Sequence, residues 1–136
     1  MCIRDRIDVT VEVVPETPLK LPHTPNGAKI TLDLHDYIDD VIAHYKQLSG
    51  KTSIRKAVTP FVPDGTLHPD DWDVKGELAA NCTSCVMKSL WASRLSRPDT
   101  QKPTCDLASN VSKWSRNDDK RMERLIGYYV LSLIHI

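Results

Sequence analysis

The chain has no net charge, since 18 lysines and arginines balance 18 aspartates and glutamates. Bulk electrostatics therefore makes no case for a nucleic-acid or membrane partner. It also has no run of about 18 apolar residues, so no helix that crosses a membrane is expected. Internal repeats and low-complexity tracts are missing as well. There are four cysteines, and setting aside Cys2 leaves an odd set without the even framework of a small secreted domain. A reducing, intracellular compartment, cytoplasmic or nuclear, fits this usage.

Against that balanced background the charge is unevenly placed. Acidic residues gather between Asp33 and Asp73, whereas Lys88, Arg94, Arg97, Lys102, Lys113, Arg116, Lys120, Arg121 and Arg124 make the C-terminal half basic. That half is where a polyanion would bind.

The two ends read as foreign. Met1 to Arg6 can be written in codons as ATG TGT ATA AGA GAC AG, and Leu131 to Ile136 as CTG TCT CTT ATA CAC ATC. The two strings are reverse complements and look like the transposase end sequence used to fragment DNA for sequencing. Residues 1–6 and 131–136 are accordingly expected to be adaptor-derived and are set aside from fold reasoning. Residues 7–130 are then expected to be an internal piece of a longer protein, about the size of one small domain.

Within that piece, Ile7, Val9, Val11 and Val13 alternate with mostly polar neighbours, the period-two pattern of a half-buried strand. A loop with Pro15, Pro18, Pro22, Pro25 and the Asn26-Gly27 turn follows, and Ile30, Leu32 and Leu34 mark a second strand. From Asp36 the period becomes helical, with Tyr37, Ile38, Val41, Ile42, Tyr45 and Leu48 on one face and Gly50 at the C-cap position. Lys51 to Asp73, rich in proline, predicts an extended connector. A helix is expected from Val74 to Ser96, its stripe built from Leu78, Cys82, Val86, Leu90 and Ser93. Arg97-Pro98-Asp99 breaks it and starts the next, whose face carries Leu107, Val111 and Trp114. Asn117, Asp118 or Asp119 caps a last helix with Met122, Leu125, Ile126 and Tyr129. The expected fold class is α+β: a small antiparallel β-hairpin followed by about four helices with a long irregular connector.

Few motifs carry chemistry. Tyr37-Ile38-Asp39-Asp40 matches the Tyr-x-Asp-Asp of metal-dependent polymerases, where two aspartates on a hairpin hold catalytic cations. Its flanks are wrong for a hairpin, because Val41-Ile42-Ala43-His44-Tyr45 continues with helical spacing. The acidic pair is read instead as a helix N-terminus, where the dipole favours it. Cys82-x-x-Cys85 has no second pair and no histidine at ligand spacing, so it is read as two small residues in a helix seam rather than a zinc or redox site. His23, His35, His44 and His68 are scattered and read as surface or loop residues. No catalytic residue and no metal ligand is assigned. Lys88, Arg94 and Arg97 are the candidate nucleic-acid contacts, although a solvated helix surface would explain the basic residues equally well.

The order of several short motifs adds a resemblance. Ile30-Thr31-Leu32-Asp33-Leu34 with Asp36-Tyr37-Ile38 resembles the I-x-L-x-Q-x-x-Y-I segment that follows the palm in copia-type retrotransposon reverse transcriptases. Val58-Thr59-Pro60-Phe61 looks like their V-x-T-P connector. The stretch from Val86 to Asp99, ending in Arg97-Pro98-Asp99, is similar to their G-S-L-x-Y-L-A-x-x-T-R-P-D helix. Asp119 to Tyr128 resembles their A-x-K-R-I-L-R-Y-L helix, and the variant with Trp114 and Asp119-Lys120-Arg121 resembles the copia-like elements abundant in dinoflagellates. The chain departs from the pattern where the glutamine is missing between Asp33 and His35, at Trp91, and at Pro103.

This resemblance implies the end of the palm, the thumb and the connection toward ribonuclease H of a retrotransposon polyprotein, an RNA-directed DNA polymerase. Its metal-binding aspartates would lie before Ile7 and its ribonuclease H carboxylates after Val130. Magnesium is implied for the parent enzyme and no cofactor for this piece. The implied partners are an RNA-DNA template-primer duplex and the remaining palm and ribonuclease H domains, with no membrane. The alternative is a noncatalytic helical protein-interaction module.

Overall fold

A computed structural model of the chain describes residues 6–11, 28–63 and 65–134. The prolines between the strands, the Asn26-Gly27 turn, His23 and the outermost adaptor-like residues lie outside the described residues. Strands β1 (Arg6–Val11) and β2 (Ala28–Asp33) pair antiparallel, with Ile7 opposite Leu32 and Val9 opposite Ile30. Among the described residues they pair only with each other.

The expectation of an α+β class is corrected. The packed body is mostly helical and has no sheet in it, and its described core residues all come from Leu34 onward, after the strands. Two strands alone bury too little to found a core. Here four helices enclose it instead.

Helix α1 (His35–Ser49) turns Ile38, Val41, Ile42 and Tyr45 inward, as its spacing predicts. It ends at Gly50, whose φ of 67° is the left-handed cap conformation that glycine adopts without strain. The connector then lies across the last helix. Ile54 and Ala57 are buried, and the Ala57 N–H donates to the Gly127 carbonyl at 3.2 Å. Residue 127 must be glycine for this crossing, because a Cβ there would collide with the Arg55 carbonyl oxygen.

Helix α2 (Cys82–Leu95) starts later than the predicted Val74. The cause is Asp119, whose carboxylate accepts the Glu77 N–H at 2.6 Å and the Leu78 N–H at 3.3 Å and so takes backbone donors out of a helical ladder. Lys75 also bridges to Ser115. On its buried side α2 carries Cys82, Cys85, Val86, Ser89, Ala92 and Ser93, small residues that let neighbouring helices approach. Helix α3 (Gln101–Ser109) accommodates Pro103 in its first turn. It stops before Val111, and Trp114 has the extended angles φ −61° and ψ 117°, so the single helical face predicted through Trp114 is broken into a helix and a 3-10 turn.

Helix α4 (Arg116–Ile134) is started by Ser115 rather than by the three residues predicted to cap it. The Asp118 carboxylate accepts the Ser115 N–H at 3.0 Å while the Ser115 hydroxyl accepts the Asp118 N–H at 3.3 Å, a reciprocal capping box. Met122, Leu125, Ile126 and Tyr129 of α4 are fully buried, each worth roughly 1.5–3 kcal/mol of burial. The helix runs on through the adaptor-like Leu131 to Ile134, and Ser132 is buried.

Candidate nucleic-acid interface

Of the three predicted phosphate contacts, Arg97 is placed where no phosphate reaches it. Its side chain is 0% exposed. The guanidinium donates from Nε and Nη2 to the two Asp99 oxygens at 3.2 and 3.1 Å and from Nη1 to the Ser132 hydroxyl at 2.8 Å. It lies 5.2 Å from the Tyr128 ring and 5.6 Å from the Tyr129 ring. The expectation for Arg97 is therefore corrected. A cation with a bidentate carboxylate and two π-faces is compensated for burial, and the turn at Pro98 folds it inward. Burial alone would raise the Asp99 carboxyl, but hydrogen bonds from Arg97 and Tyr128 outweigh it and hold the pKa below the usual value. Tyr128 donates to Asp99 at 2.7 Å.

Lys88 and Arg94 stay at the surface but apart. Six positions separate them on α2, about 120° around the helix. Lys88 donates to Asp40 at 2.6 Å, and this bond lowers the Asp40 pKa and raises that of Lys88. Beside the pair, the Tyr37 hydroxyl donates to the Lys88 carbonyl at 3.2 Å and its ring lies 4.8 Å from that of Trp91. Arg94 is exposed and has no ion-pair partner among the described residues.

Tyr37-Ile38-Asp39-Asp40 is helical, as its flanks predict. Asp40 is committed to Lys88, and Asp39 lies 3.9 Å from His35. The two carboxylates face different partners and do not form the convergent set that a divalent cation needs. Among the described residues no three His, Cys, Asp or Glu side chains are grouped to hold a metal. Cys82 and Cys85 are both buried, and desolvation raises both thiol pKa values, the opposite of a reactive pair. His44 shares a 2.9 Å contact with the Ser84 hydroxyl, and His68 is an exposed loop residue.

The basic residues Lys113, Arg116, Lys120 and Arg121 of the C-terminal half meet a segment that the sequence pattern did not connect to them. Asp71, in the 3-10 turn Pro69–Trp72, binds Lys120 and lies 3.9 Å from Arg116. The Lys120 hydrogen bond keeps its pKa low. One residue on, Trp72 is 43% exposed and lies 5.2 Å beneath the Arg121 guanidinium. Trp72, Lys75 and Lys113 line a cavity of about 500 Å³. Trp72 sits in an aperiodic connector and Lys75 lies some forty positions from Lys113, so no local pattern links them. Compared with protein-family models, with curated proteins and with solved structures, the chain matches none.

Proposed function

We propose that the chain is the noncatalytic helical part of a copia-type reverse transcriptase and helps to position an RNA-DNA template-primer duplex. The observation that carries this reading is that the resembling motifs dock on one another. Arg124, in the last motif, donates from Nε to the Thr59 carbonyl and from Nη2 to its hydroxyl, both at 3.0 Å, and so holds the Val58-Thr59-Pro60-Phe61 connector. Tyr128, at the end of the same motif, binds Asp99 of Arg97-Pro98-Asp99. Tyr37, from the first motif, binds the Lys88 carbonyl of the third. Four segments with a shared origin would be expected to support each other in this way. Arg94 is the phosphate contact, with Lys88 available when phosphate displaces Asp40.

The test is a salt titration of the full chain against an RNA-DNA hybrid. Binding should weaken steeply as salt rises, because each neutralised phosphate contributes roughly −0.7 to −0.9 to the slope of log K against log salt. Absence of binding at low salt overturns the proposal. A second reading, a helical protein-interaction module, is favoured by the exposed Met87, Trp91, Val58 and Phe61. It predicts salt-insensitive binding to a protein domain and none to the hybrid.

A further inference from the structure

The Trp72 groove has features that a solvated loop does not need. Its two lysines come from segments far apart in the chain, one preceding α2 and one preceding α4. They are brought to the same cavity by the backbone bonds Gly76 N–H to Trp114 carbonyl at 3.1 Å and Arg116 N–H to Val74 carbonyl at 2.9 Å. Neither ammonium has a hydrogen-bond or ion-pair partner among the described residues. The neighbouring cations Lys120 and Arg116 share Asp71, and Arg121 lies 3.7 Å from Asp118 as well as over Trp72. Asp73 also lines the groove, and the two lysines outnumber it. An indole exposed over nearly half its surface, held by a guanidinium and flanked by two unpaired ammonium groups, offers stacking and phosphate contacts together.

We propose that this groove takes single-stranded nucleic acid, with one base stacked on Trp72 and the adjoining phosphates on Lys75 and Lys113. The inference rests on the polymerase-fragment reading above and names a site within it. A single strand fits where a duplex does not, because a paired base has both faces covered by its neighbours. The seam at Trp91 is a weaker candidate, since Tyr37 already packs on that indole and Asp40 neutralises Lys88.

The test is anisotropy of a labelled oligouridylate, roughly ten nucleotides long and so within the usual site size of about 4–16, titrated with the full chain at several salt concentrations. Lys75→Glu with Lys113→Glu should weaken binding at least about tenfold and flatten the salt slope by about 1.4, or 0.7 for each phosphate contact on a single strand. Trp72→Ala should weaken it by roughly five- to a hundredfold through lost stacking while leaving the salt slope unchanged. A charge-matched control, Lys46→Glu with Lys56→Glu, should change it far less. Thermal melts accompany each variant, and Lys→Gln replaces Lys→Glu where glutamate unfolds the chain. If strand and hybrid both bind but the groove variants behave like the parent chain, the groove assignment is wrong and the polymerase-fragment reading survives. Displacement of the strand by polyglutamate as readily as by unlabelled oligouridylate would also overturn the assignment. If neither strand nor hybrid binds, both readings fall.

Discussion

Arg97 and Arg116 each pair with an aspartate, but the side chain of Arg97 is 0% exposed and that of Arg116 is 59% exposed. Around Arg97 a carboxylate, a serine hydroxyl and two tyrosine rings replace water. Around Arg116 and Lys120 water remains, and Asp71 is shared between them. Removing one partner from the first kind of pair strands a buried charge, whereas the second kind is screened and loosely held. Residue type alone therefore says little about whether a cation serves the fold or a ligand. Its share of solvent decides.

The comparison breaks most directly at Arg97. Arg97→Ala should cost about 3–5 kcal/mol, read as a fall in the urea midpoint, because Asp99 and Tyr128 lose their cation and a cavity opens beside Tyr129. Arg97→Lys should not rescue it, since an ammonium lacks the planar fork that binds both carboxylate oxygens. A loss no larger than that of a surface variant would show that the node is not structural. Gly127→Ala should cost about 1–3 kcal/mol by overpacking, since the new methyl group meets the Arg55 carbonyl oxygen. Hydrogen exchange of the Ala57 amide, which donates to Gly127, should rise most. Unchanged protection there would mean that the connector does not cross α4 as described.

What the sequence disclosed follows the same division. Helix α1 was legible because Ile38, Val41, Ile42 and Tyr45 repeat on one face and Gly50 follows. Both local rules act within a few residues. The late start of α2 was not legible, because Asp119 reaches back to Glu77 and Leu78 across the fold. The burial of Arg97 was not legible for a related reason: Asp99 is two residues away, but Tyr128, Tyr129 and Ser132, which complete its surroundings, all lie on α4. The hairpin's alternation was plain, yet alternation reports a strand's two faces and not whether a sheet enters the core. The candidate groove depends on Trp72, Lys75 and Lys113 meeting across two connections, information that no periodicity contains.

Acid sharpens the contrast between buried and exposed pairs. Asp99 has a folded pKa below its ordinary value, so its contribution to stability is present above the unfolded carboxylate pKa of about 3.9 and is lost as pH falls through the folded value. Tyr128→Phe, which removes the 2.7 Å bond to Asp99, should cost about 1.5–3 kcal/mol at neutral pH, as for a hydrogen bond to a charged group. The gap from the parent chain should close only as pH falls through the depressed folded pKa of Asp99 and the carboxylate protonates. A gap independent of pH would point to lost packing of the phenol rather than to the carboxylate bond.

The smallest effect is expected at the surface pair. Lys120→Ala removes the hydrogen bond that keeps the Asp71 pKa low, yet Asp71 keeps Arg116 at 3.9 Å and both basic side chains remain in water. The urea midpoint should stay within measurement error at physiological salt and separate slightly at low salt, where screening is weakest. Any change should instead appear in the titration of Asp71, followed by carboxyl NMR, whose midpoint should rise toward that of a free aspartate. A large stability loss from Lys120→Ala would mean that the 3-10 turn bearing Trp72 is held by this ion pair rather than by the Asn117 amide donating to the His68 carbonyl at 2.8 Å. Asn117 is fully buried, and its bond lies out of reach of salt. The same variant made in high salt would decide between the two, because only an ion-paired turn would lose the difference there.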